Sequence, residues 1–146
     1  MLSVAPIRAI YLVAFVSMAF SSVQAGETSR YTDIDTGALA NLVDKGVTVV
    51  DIRRPDEWRE TGVIPGSKLL TAFDSGGRFR EEFPSQFEAL VDSDEEVIII
   101  CRSGNRSAAL SRALAERAGY TRVYNASGGI VSWIDRGNQT APCPTC

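Results

Sequence analysis

The stretch Val97-Ile-Ile-Ile-Cys101-Arg-Ser-Gly-Asn-Arg-Ser107, continued by Ala108 to Tyr120, decides the architecture. Val97 to Ile100 is an unbroken β-branched run, the pattern of a strand buried on both faces, and such strands belong to parallel sheets. From Ser107 to Ala118, apolar Ala108, Leu110, Ala113, Leu114 and Ala118 share the segment with charged Arg112, Glu116 and Arg117. This is the pattern of an amphipathic helix, and Gly119 stands where a left-handed residue ends one. Strand, loop and helix in succession place the loop beyond the carboxyl end of a strand, where open parallel sheets hold their ligands. A helix N-terminus there offers unpaired N–H groups and the positive end of its dipole. Arg102 and Arg106 add two positive charges, and Gly104 can adopt the left-handed backbone that turns successive amides inward as an anion nest. Cys101 is therefore predicted to be a nucleophilic sulfur in an anion cradle. The competing reading is a core cysteine at a strand end. Packing alone, however, gives no reason for a glycine, two arginines and small polar residues between strand and helix.

Working outward, Val47 to Val50 is a second β-branched run and Tyr120 to Tyr124 reads as a third strand. Helices are expected over Gly37 to Val43 and Pro84 to Val91. The pattern predicts an α/β domain with a short, mostly parallel sheet covered by helices on both faces. A length of 146 residues with 45% hydrophobic and 23% charged residues fits one domain. The formal charge of −3 and the absence of a long basic run argue against nucleic acid as a partner. The chain has no histidine, which rules out Ser-His-Asp triads, Cys-His proteases and histidine-based zinc sites. No Walker loop or dinucleotide fingerprint is present, so no cofactor is expected.

The N-terminus has the form of a secretory signal. Arg8 precedes a run from Ala9 to Phe20 that is apolar except for Ser17, and Val23-Gln-Ala25 offers small residues for a signal peptidase. The run is well short of the roughly 20 apolar residues a membrane span needs. Residues 1–25 are expected to be cleaved, residues 26–136 to form the domain and residues 137–146 to be a tail. The mature protein is expected in the periplasm without stable membrane association.

Cys101-Arg-Ser-Gly-Asn-Arg-Ser107 resembles the active-site loop of single-domain rhodaneses, and two further motifs follow the same family. Val49-Val-Asp-Ile-Arg53 with Pro55-Asp-Glu-Trp58 and Thr61-Gly-Val-Ile-Pro-Gly-Ser67 is similar to its first signature, with Val63 where histidine is usual and Ser67 in place of alanine. Gly128-Gly-Ile-Val-Ser-Trp133 is similar to its second. The resemblance implies a single rhodanese-like domain that carries sulfane sulfur as a persulfide on Cys101. The backbone amides of Arg102, Ser103, Gly104, Asn105, Arg106 and Ser107 would cradle substrate or persulfide. The implied partners are a small anionic sulfur donor and a thiol or cyanide acceptor. Phosphatases and some arsenate reductases of the same fold are the alternative, although in the phosphatases the resemblance implies a loop one residue longer. A non-catalytic anion- or sulfur-binding module is the third possibility. Asp51 and Arg53 read as a buried structural pair, because charges at a strand end must be matched. Gly128, Gly129 and Trp133 read as packing beside the site, and Arg78 and Arg80 as a solvated face.

Cys143 and Cys146 end the chain in Ala141-Pro-Cys-Pro-Thr-Cys146. Two thiols make a poor zinc site, so no metal is expected. In an oxidising compartment a local disulfide is expected. The alternative is a tail that takes sulfur from Cys101 and is served by a thiol-redox partner protein.

Overall fold

The computed structural model describes residues 31–143 and 146, so the signal segment read over residues 1–25 lies outside the described residues. Within them the chain runs β1 (Tyr31–Ile34), α1 (Thr36–Asp44), β2 (Thr48–Asp51), α2 (Pro55–Thr61), β3 (Lys68–Leu69), α3 (Phe83–Glu88), β4 (Val97–Ile100), α4 (Asn105–Arg117), β5 (Val123–Ala126) and α5 (Gly129–Asp135). The strands form one sheet in the order β1-β5-β4-β2-β3, and every pair is parallel. Central β4 pairs Ile99 with Val50 of β2 and Ile100 with Asp51, which brings the carboxyl ends of β2 and β4 level. The chain leaves β2 toward one edge and β4 toward the other. The crevice between their ends is thus the switch point of the sheet.

The β-branched run of β4 is buried on both faces because successive side chains point to opposite sides. Val97, Ile99 and Cys101 join a core with Phe83 and Phe87 of α3 and Leu110 and Leu114 of α4. Ile98 and Ile100 join the opposite core with Leu39 of α1 and Ile130 and Trp133 of α5. An aromatic chain through Phe73, Phe79, Phe83, Phe87 and Tyr120, with ring centroids 5.2–5.6 Å apart, closes the first core.

Several elements differ from expectation. Helix α4 begins at Asn105, so Asn105 and Arg106 belong to its first turn rather than to the loop. The third strand is Val123–Ala126, not Tyr120 to Tyr124, because Tyr120 is drawn into the aromatic chain and its hydroxyl donates to Val91 O at 3.1 Å. Helix α3 ends at Glu88, short of Val91. The segment after α5 is not a loose tail: Val63 and Ala141 exchange two main-chain hydrogen bonds of 3.0 and 2.8 Å, and the Trp133 indole donates to Gln139 O at 2.9 Å. Among the described residues no helix is long and apolar enough to cross a membrane.

Candidate active site

Strand β4 delivers Cys101 to the switch-point crevice, and the three residues after it lead into α4. Gly104 sits at φ 95°, a left-handed conformation, and a side chain there would drive a Cβ to within 2.0 Å of Ser127 O. Only glycine accommodates that turn without displacing the loop. The turn points the Gly104 N–H at Cys101 Sγ, 3.2 Å away. One helical turn later the Ser107 hydroxyl lies 3.4 Å from the same sulfur and 3.0 Å from Gly104 O, so its single proton is shared between the two acceptors. Cys101 is 1% exposed and unbonded to another cysteine. The thiol is thus buried like a core cysteine, while its sulfur is aimed at hydrogen-bond donors and the positive end of a 13-residue helix.

The loop is held from behind by α5. Ile130 N donates to Cys101 O at 2.9 Å and Val131 N to Arg102 O at 3.2 Å. That closeness requires Gly129, whose φ is 59° and where a Cβ would fall 2.4 Å from Arg102 O. The Gly128-Gly129 turn supports the loop's backbone, as packing beside the site requires.

The loop arginines are not free. Arg106 forks onto Glu57 of α2 with hydrogen bonds of 2.9 and 2.6 Å, and exposed Arg102 pairs with Glu60 at 3.3 Å. Burial pushes the Glu57 carboxyl upward, but hydrogen bonds from Arg106 and from Arg54 N–H (3.1 Å), with the charges of both arginines, hold it below its ordinary range. The bonds to Glu57 hold the Arg106 guanidinium above its usual value against burial, and the Cys101 sulfur is near enough to add to the effect. Cys101, Gly104, Arg106 and Ser107 thus converge on one point, whereas Arg102, Ser103 and Asn105 are exposed around the rim. Glu57 was not singled out from sequence as a site residue. The one local signal was its place as the third residue of a Pro-led helix, which marks a capping glutamate but does not name Arg106 as its partner.

Behind Glu57, Arg53 is 1% exposed and every arm of its guanidinium is occupied. It donates to Asp51 at 2.6–3.1 Å, to Thr61 Oγ1 at 2.7 Å, to Gly62 O at 2.8 Å and to Glu57 O at 3.3 Å. The expected Asp51–Arg53 pair is present, and it also clamps the C-terminal end of α2 against the carboxyl end of β2. Arg78 and Arg80 pair with Asp74 and Glu82 of their own segment, in keeping with a solvated face.

A family model described as Rhodanese-like domain matches residues 35–136. The chain belongs to the rhodanese-like family. A sulfurtransferase of Allochromatium vinosum is 36% identical over 107 residues, spanning 72% of this chain and 90% of that one. Thiosulfate sulfurtransferase 18 of Arabidopsis thaliana is 29% identical over 119 residues, spanning 79% and 85%. Among solved structures, a rhodanese-related protein from Thermoplasma volcanium aligns with TM-score 0.60 and 30% identity, covering 75% of this chain and 96% of that one. The rhodanese-like domain is therefore of a sulfurtransferase family, and its α/β architecture with a parallel sheet is the one expected from the sequence.

Proposed function

We propose that this rhodanese-like domain is a sulfurtransferase that moves sulfane sulfur from thiosulfate or a similar anionic donor to cyanide or a thiol through a persulfide on Cys101. The observation that carries the reading is the Cys101 sulfur held 3.2 Å from the Gly104 N–H and 3.4 Å from the Ser107 hydroxyl at the start of α4. In the first step Cys101 Sγ, as the thiolate, attacks the outer sulfur of the donor. The donor's S–S bond breaks and sulfite leaves with the bonding pair. The outer sulfur, now bound to Cys101, keeps its negative charge, and the loop amides and helix dipole stabilise that charge. In the second step the acceptor attacks this outer sulfur and Cys101 leaves as thiolate. No general base is required, since neither step removes a proton from carbon or water. Cys101 and Arg106 bracket four residues, one fewer than the resemblance implies for the phosphatases of this fold, which favours sulfur transfer over phosphoryl transfer.

Mass spectrometry after thiosulfate treatment tests the reading: the peptide containing Cys101 should gain about one sulfur atom. Cys101→Ser should abolish thiosulfate:cyanide transfer with the circular dichroism spectrum unchanged, because a hydroxyl cannot hold a persulfide. Substantial residual transfer would overturn it. Export to the periplasm belongs to the same proposal. An intact mass lacking residues 1–25 in the periplasmic fraction supports it, and a full-length protein pelleting with membranes opposes it.

A further inference from the structure

Cys143 and Cys146 take no part in the chemistry above, yet the structure joins them in a disulfide and anchors them at the end of the sheet that carries Cys101. The segment bearing them leaves α5, whose Ile130 N–H is bonded to Cys101 O. It is pinned where Trp133 donates to Gln139 O, and pinned again where Ala141 pairs with Val63. Val63 follows Gly62, whose carbonyl accepts from Arg53 at the end of β2. Beyond that point Arg59 of α2 donates to the main-chain carbonyl of Cys146. The next residue of α2, Glu60, pairs with Arg102, the residue after Cys101. Both elements that anchor the segment are thus bonded to the active loop itself. Cys143 lies two residues past the Ala141 anchor, within about 7 Å of chain. Both cysteines are half-buried and bonded to each other across a separation of three residues, a spacing at which the bond closes with little gain in stability.

Resting on the sulfurtransferase reading, we propose that reduced Cys143 and Cys146 are an intramolecular acceptor that discharges the Cys101 persulfide as sulfide. One of the two thiolates attacks the outer sulfur. A bond forms between that cysteine and the sulfane sulfur, the bond to Cys101 breaks, and Cys101 departs as thiolate. The second thiolate then attacks the sulfur of the first cysteine, closing the Cys143–Cys146 disulfide and expelling hydrosulfide. The dithiol is oxidised by two electrons, the sulfane sulfur is reduced to sulfide, and the two thiol protons leave with it as hydrogen sulfide or pass to solvent. The disulfide in the structure is the product of that step, and an external dithiol of a thiol-redox protein reopens it for the next cycle. Tethering the dithiol to both elements that hold the active loop makes its encounter with the persulfide intramolecular, which favours it over a dilute external thiol when the tether spans the sites.

A single-turnover experiment tests the proposal. The mature chain is reduced with a phosphine, freed of it by anaerobic gel filtration and treated with one equivalent of thiosulfate. Reduced wild type should release about one sulfide per chain, lose two titratable thiols and yield a Cys143–Cys146 disulfide peptide. C143S/C146S should retain the added sulfur on Cys101 and release sulfide at least about tenfold more slowly. Equal sulfide release by the double variant, or a persistent Cys101 persulfide in reduced wild type, overturns the tail's role while leaving the sulfurtransferase reading standing. Failure of Cys101 to gain sulfur in either protein overturns both.

Discussion

Arg53 shows how one residue sets the geometry of a site it does not touch. Its guanidinium is sealed from solvent and satisfied by the Asp51 carboxylate, the Thr61 hydroxyl and two carbonyls, so a planar fork with five N–H donors is required there. A lysine keeps the charge but cannot reach Asp51 and Gly62 together. Arg53→Lys is therefore expected to leave Asp51 incompletely paired in the interior and to cost about 3–5 kcal/mol, as breaking a buried pair does. Urea unfolding measures it, and a loss below about 1 kcal/mol would mean that the clamp on α2 is dispensable. Cys101 is the complementary case. Its surroundings are built by backbone and hydroxyl donors more than by the arginines beside it, because both loop arginines are matched by glutamates of α2.

Helix α2 is the element that couples the first motif of the chain to the second, through Glu57 and Arg106, 49 residues apart. The folded value of the Glu57 carboxyl lies below its ordinary 4.5, so the pair's stabilisation is fully present above that pH and is lost as pH falls through the lower folded value. Glu57→Gln is expected to be less stable than wild type by about 1–3 kcal/mol at pH 7, the scale of a charged hydrogen bond. The gap should narrow below pH 4.5 as the wild-type carboxylate protonates. Denaturant titrations at pH 7, 5 and 3.5 check this, and a gap of constant size would mean that Glu57 contributes no charge. The β4-loop-α4 unit was legible in sequence because its signals are contiguous: four β-branched residues, a polar loop and a periodic helix. Elements β1 and β3 were not, since β1 buries one residue of four, β3 has two residues and neither shows alternation. Helices α2 and α5, of seven residues each, are too short for a periodicity and are held by contacts distant in sequence. The partner of Arg106 was hidden for the same reason, because nothing local says which glutamate will face it.

At the scale of the molecule, the chain closes on itself, with the segment after α5 returning to the turn after α2. The closure rests on the Val63–Ala141 and Trp133–Gln139 hydrogen bonds, upstream of Cys143, and on the Arg59 bond to the main-chain carbonyl of Cys146. The disulfide joins Cys143 to Cys146, so opening it leaves the anchors upstream of Cys143 in place. A segment that cycles between dithiol and disulfide needs this separation of anchor from redox centre, because each reduction would otherwise loosen the domain. Two variants distinguish the contributions. A mature chain ending at Gly137 loses these anchors together with the two Asn138 bonds to Trp133 O and is expected to be about 1–4 kcal/mol less stable, with the melting temperature lower by several degrees. C143S/C146S keeps the anchors and is expected to stay within about 1 kcal/mol of wild type. Thermal unfolding of the three proteins at one pH measures both differences. If the double variant falls as far as the truncation, the disulfide is a structural staple and the closure depends on it. If only the truncation falls, the disulfide can open without unfolding the domain, as the proposed dithiol cycle requires.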